Sequence, residues 1–183
     1  MRRTLLKPRL AIRLAATLSV ALLGACNGDR EPSPATTSTT DQVTTTTSAT
    51  EAAERAALEG YRAYWDAYLK SADPMDPENP LLAQHATGPA LETVQKAFLA
   101  LKSAGKVIRG ELDLAPRVVT VDGGMATVRD CYGDGTGVYD AATGAREDEP
   151  SGQRHLVTAT LRLDEGTWKV ERLADEGLGC TAA

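Results

Sequence analysis

Residues 154–173 read RHLVTATLRLDEGTWKVERL. Polar and apolar side chains alternate up to Asp164-Glu165-Gly166 and resume at Trp168-Lys169-Val170, the signature of two strands joined by a tight turn. A hairpin pairs its strands antiparallel, so the C-terminal part of the chain predicts an antiparallel sheet. The same period of two runs through VIRGELDLAPRVVTVDG (107–123) and GMATVRDCYG (124–133). Asp122-Gly123-Gly124 parts these two, and the glycine-rich Gly133 to Gly137 stretch separates them from the hairpin. Pro116 has no N–H to give a ladder and should mark a bulge or bend in the first long strand.

Upstream of Gly105 the period is that of a helix. In EAAERAALEGYRAYWDAYLKSA (51–72), Leu58, Tyr61, Trp65, Tyr68 and Ala72 share one face. Ser48 with Glu51, or Thr50 followed by acids, can cap its start. Tyr61, Tyr64, Trp65 and Tyr68 are half of the eight aromatic residues of the chain, and core packing against the sheet is the first expectation for them. DPMDPENPLLAQHAT (73–87) carries three prolines and predicts a loop with one short helical turn from Leu81 to His85. Pro89 opens a second long helix, with Leu91, Val94, Phe98 and Leu101 on one face and Gly105 as its C-cap. The order of helix, short helix, helix and antiparallel sheet is α+β.

The N-terminus has a different chemistry. Arg2, Arg3, Lys7, Arg9 and Arg13, with no acid among them, precede an apolar run from Leu14 to Leu23 that is too short for a stable membrane span. Leu23-Gly24-Ala25-Cys26 follows and resembles the lipobox of bacterial lipoproteins. That resemblance implies a signal peptide over 1–25, cut before a diacylglycerol-modified Cys26. Cleavage there removes 25 of the 183 residues, five of them basic and none acidic, so the formal net charge moves from −5 to −10. Such acidity excludes a nucleic-acid partner, because phosphate neutralisation dominates that binding. It also leaves attachment to the membrane to the covalent lipid. Residues 26–50 read as a disordered tether: from Thr36 to Thr50, eleven of fifteen residues are Thr or Ser. A glycosylated stalk is the alternative reading. One domain of residues 51–183 follows, with neither an internal repeat nor a second linker.

Two further cysteines lie in that domain. Cys131 falls near the end of one strand and Cys180 after the last. If 125–132 pairs with 154–163, and that strand with 167–173, both cysteines come to the same end of the sheet. A disulfide between Cys131 and Cys180 then pins the C-terminal tail, worth on the order of 2–4 kcal/mol. The spacing is not that of a redox C-x-x-C pair.

Aromatic-rich helices before a sheet that ends in Asp164-Glu165-Gly166-Thr167-Trp168-Lys169-Val170 resemble the NTF2-like (SnoaL and ketosteroid isomerase) superfamily. YRAYWDAY (61–68), ATGPAL (86–91) and RDCYGDGTGVYDAATG (129–144) resemble small actinomycete lipoproteins that carry such a domain. The resemblance implies a cone, with N-terminal helices packed on a curved antiparallel sheet around a pocket, and often a homodimer through the outer sheet face. The pocket is expected to be lined by Tyr61, Tyr64, Trp65 and Tyr132, unless Trp65 and Trp168 fill it. Enzymes of the superfamily place Asp, His or Tyr inside the cone. Strand alternation puts Asp130 on one face with Ala126, Val128 and Tyr132. An acid–base pair of Asp130 with His155 is therefore the catalytic candidate. Against it stand a surface position for His155 and pairing of Asp130 with Arg129, Arg154 or Arg109.

Asp130, Asp134 and Asp140 sit in a glycine-rich stretch but lack the order of a calcium loop, so neither a metal nor another cofactor is expected. No phosphate loop, nucleophile elbow or zinc spacing occurs in the sequence. The reading is of a protein on the extracytoplasmic face of the cell membrane, anchored through Cys26. Its domain would be a non-catalytic module for a small apolar ligand or an envelope protein. A small-molecule enzyme and an accessory subunit of an envelope complex are the alternatives. The latter would need an apolar patch on the outer sheet face.

Overall fold

The computed structural model describes residues 40–149 and 152–181. Residues 1–39, where the sequence predicts a signal peptide, a modified Cys26 and the first part of a tether, lie outside the described residues. α1 (Thr40–Ala72), α2 (Pro80–His85) and α3 (Gly88–Ser103) precede seven strands: β1 (Lys106–Arg109), β2 (Leu112–Asp113), β3 (Arg117–Asp122), β4 (Met125–Asp134), β5 (Gly137–Asp140), β6 (Arg154–Asp164) and β7 (Thr167–Leu178). The architecture is α+β, with helices packed on an open antiparallel sheet.

α1 begins eleven residues before Glu51, inside the stretch expected to be a tether. Threonine is a weak helix former, but extending an existing helix avoids the cost of nucleation. Asn79 caps α2 by accepting the Leu81 N–H at 3.1 Å, with Pro80 at its first position. Ala104 rather than Gly105 is the C-cap of α3, and Gly105 follows it with φ of 71°.

The long strand expected over 107–123 is broken twice. Its three pieces, β1, β2 and β3, pair with β5 and the two ends of β4. Register carries through both breaks: Arg109 faces Gly137, Leu112 faces Asp134 and Arg117 faces Arg129, equal steps on the two sides. The segment is one bent ribbon. Its first bend falls at Gly110, whose φ of 125° suits only glycine and which crosses close to the Gly135 carbonyl. The second spans Leu114 to Pro116, as the missing proline N–H requires. The glycine-rich Gly133 to Gly137 stretch is no plain separator, since β4 runs into it as far as Asp134 and β5 starts at Gly137. The main sheet continues from β4 to β6 and β7, the last two forming the hairpin expected from Asp164-Glu165-Gly166.

Two apolar clusters hold the layers together. One packs Tyr61, Tyr64 and Trp65 of α1 against Val128, Val157, Leu161 and Val170 of the sheet. The other gathers Leu82, Val94 and Phe98 of the shorter helices around Val107 and Ile108. Gly60 lets α1 lie directly on β7. A Cβ there would stand 2.6 Å from both the Cβ and the carbonyl oxygen of Trp168. Gly60→Ala is expected to cost about 1–3 kcal/mol through forced separation of the two elements. An unchanged urea midpoint would refute that close packing.

Candidate functional site

β4 supplies the inner stripe. Ala126, Val128, Asp130 and Tyr132 are buried toward the helices, in the alternation expected. Cys131 points to the other face and bonds Cys180, with Cα atoms 5.9 Å apart. The tail reaches it by turning across β6, where the Gly179 N–H donates to the Arg154 carbonyl at 3.0 Å.

Asp130 is 1 % exposed, and both of its oxygens are engaged. Oδ1 accepts the Ala115 N–H at 2.8 Å, and Oδ2 accepts the Tyr61 hydroxyl at 3.0 Å. Ala115 lies in the bend before Pro116, where no neighbouring strand takes its N–H, so the carboxylate replaces a lost ladder bond and ties the ribbon to α1. Burial pushes the Asp130 pKa up, against the opposing pull of the Ala115 N–H, the Tyr61 hydroxyl and the Arg154 charge. Burial also drives the Tyr61 pKa far up. The adjacent Trp65 indole works against that shift, although its Nε1 falls outside hydrogen-bond geometry.

His155 does not join Asp130. It lies opposite Tyr132 in the ladder, its ring stacked on that tyrosine at 5.3 Å, and its Nδ1 is 3.4 Å from Asp175. Asp130 instead faces Val157, two positions further along. The candidate acid–base pair is therefore not assembled, because the Tyr132 ring occupies the position beside the imidazole. The three arginines considered for Asp130 have other partners: Arg129 pairs with Glu176, Arg154 with Asp113 and Arg109 with Asp73.

A cavity of about 270 Å³ opens where the two apolar clusters meet, between α1, α3 and the inner sheet face. Tyr64, Trp65 and Tyr132 line it. Tyr61 does not, since its hydroxyl is committed to Asp130. Trp168 is also absent from the lining; it packs over Gly60. Tyr64, Tyr68 and Tyr132 surround Trp65, with ring centroids 5.1, 5.5 and 5.3 Å from it and planes inclined by 64°, 72° and 44°. α3 closes the opposite side with Ala90, Val94 and Ala97.

Sequence reasoning missed Tyr68, Asp134 and Thr136 as cavity residues. Tyr68 lies on the stripe already identified, one turn beyond Tyr64. Asp134 extends the inner alternation of β4 by one more step and faces Leu112, a second lining residue. Burial raises the pKa of Tyr64 and Tyr132 and pushes Tyr68 up to about 12, and the Asp134 charge adds to the shift of Tyr68 and Tyr132. All three tyrosines are neutral at physiological pH.

The aspartates considered for calcium serve separate structural ends. Asp130 ties the bend, Asp134 accepts the Thr136 N–H and hydroxyl, and Asp140 caps the turn at Thr143 and pairs with Lys106. On the outer sheet face, Arg129–Glu176 and Arg162–Glu171 pairs stand among Thr127, Thr158 and Thr160, where an envelope subunit would need an apolar patch.

No family model and no curated protein matches the chain. Among solved structures, the intermembrane space region of chloroplast protein ARC6 is similar, with a TM-score of 0.52 at 15 % identity. The match covers 67 % of this chain and 95 % of that one. At such identity the likeness concerns the fold alone: helices laid on an antiparallel sheet.

Proposed function

We propose that the protein is a lipid-anchored extracytoplasmic lipoprotein whose NTF2-like cone is a non-catalytic binding module for a small ligand. The observation that carries this reading is the aromatic cavity beside an Asp130 whose two oxygens are already spent on Ala115 and Tyr61. A catalytic carboxylate needs an oxygen free to exchange a proton with substrate, and a partner to relay it. The cone is supported by a cavity lying between the helices and the inner sheet face. The anchor is supported by the lipobox-like Leu23-Gly24-Ala25-Cys26, and no helix among the described residues is long and apolar enough to cross a membrane.

Two measurements test the proposal. Metabolic labelling with a palmitate analogue is expected to mark the protein and to fail on Cys26→Ser; equal labelling of both would end the anchor reading. Native mass spectrometry of the full chain, released from detergent, is expected to show a stoichiometric extra mass lost on denaturation. A bare mass would move the search from ligands to protein surfaces.

A further inference from the structure

Resting on the reading of the cavity as a ligand site, we propose that its ligand carries an alkylated ammonium group. Tyr64, Trp65, Tyr68 and Tyr132 would form the walls around it, and the Asp134 carboxylate would be its counter-charge. Four aromatic rings, half of those in the chain, line one small cavity. Tyr64 and Tyr68, one turn apart on α1, flank Trp65, and Tyr132 meets it from β4. Each of these tyrosines packs on the indole with its plane inclined, so the four rings form one contiguous aromatic wall of the cavity. The negative faces of neutral aromatic rings attract cations, and more strongly once water is excluded.

Asp134 supplies the second half of the argument. Thr136 holds its Oδ1 through the backbone N–H at 2.8 Å and the hydroxyl at 2.6 Å, which fixes the carboxylate at the cavity wall. It takes part in none of the ion pairs among the described residues. Its charge is felt by the hydroxyls of Tyr68 and Tyr132. Arg109 and Arg154 are engaged by Asp73 and Asp113. Arg172 also borders the cavity but is an exposed side chain of β7, so solvent screens its charge. An uncharged ligand would strip water from this carboxylate and offer nothing in return. A cation removes that penalty.

The walls favour an alkylated over a bare ammonium. Carbon-rich faces suit methyl groups, whereas a primary ammonium asks for three acceptors. The volume is just below the usual range for small-molecule pockets and fits a head group with a short chain rather than a whole lipid.

The test is isothermal titration of the full chain in non-ionic detergent, at constant ionic strength, with choline and with 3,3-dimethylbutan-1-ol, its uncharged isostere of the same shape. Choline is expected to bind at least ~10-fold more tightly than the isostere, and Asp134→Asn to weaken choline by ~10-fold while leaving the isostere unchanged. Asparagine keeps an oxygen for Thr136, and an unshifted melting temperature would confirm the fold. Equal affinity for the two ligands, or a choline affinity indifferent to Asp134→Asn, overturns the cation while leaving the ligand site standing. Binding of neither at millimolar concentration overturns both.

Discussion

Reduction of the Cys131–Cys180 bridge is expected to lower the melting temperature by about 10–20 °C. The bridge closes a loop of 49 residues, and the chain-entropy relation gives about 4 kcal/mol for a loop of that length. For a body of this size, each kcal/mol shifts the midpoint by roughly 3–5 °C. The loop holds the whole β6–β7 hairpin, so the crosslink restricts a large part of the unfolded ensemble. In the folded protein it ties the end of β7 back over β6 to β4, where Gly177 with φ of 115° and a register shift at Leu156/Val157 interrupt the ladder. Loss of the bridge should therefore appear first as faster hydrogen exchange at Gly177 and Gly179, with the inner residues of β4 protected. Thermal unfolding with and without a phosphine reductant reads the first effect, and Cys131→Ser/Cys180→Ser should reproduce it. A midpoint that stays in place while both thiols titrate as free would refute the stabilising role.

What the sequence made legible, and what it hid, divides along the range of the interactions. The α1 stripe, the helix start at Pro89 and the Asp164-Glu165-Gly166 hairpin are local, and period and turn chemistry report them directly. The face of Asp130 was also legible, because alternation along β4 needs only neighbouring residues. Its role was not: the Ala115 N–H became available only because Pro116 bends the strand, and Tyr61 comes from 69 residues away. A buried aspartate beside a histidine looks catalytic in one dimension. In three, the ladder places Tyr132 opposite His155 and Val157 opposite Asp130. β5 stayed hidden for a related reason. Its glycine-rich approach reads as loop, while its pairing with Val107 and Ile108 depends on a ribbon bent at Gly110. Asp134, in a glycine-rich stretch weighed only for calcium, holds Thr136 locally, and nothing in that local pattern reports its position on the cavity wall.

Asp130→Ala is expected to destabilise the protein by about 3 kcal/mol, and Asp130→Asn by no more than about 1 kcal/mol at neutral pH. Alanine leaves two donors, the Ala115 N–H and the Tyr61 hydroxyl, without an acceptor in the protein interior, at about 1–3 kcal/mol each. Relief of the buried carboxylate offsets part of that loss. Asparagine keeps one acceptor for Ala115, can donate to the Tyr61 oxygen, and carries no charge to desolvate. The pH dependence separates this structural role from an electrostatic one. The folded pKa of Asp130 is raised by burial, so its contribution is fully present below the unfolded value near 3.8 and is lost as pH rises through the folded value. Wild type should therefore lose its advantage over Asp130→Asn as pH climbs from the acid side. Groups such as Asp140, held down at about 2, move the opposite way but are common to both proteins and cancel in the difference. Urea unfolding of the two proteins across the acid range measures that difference. A gap that widens with pH would mean that the ionised carboxylate is stabilised in place, which would reopen Asp130 as a functional charge rather than a tie between the bent ribbon and α1.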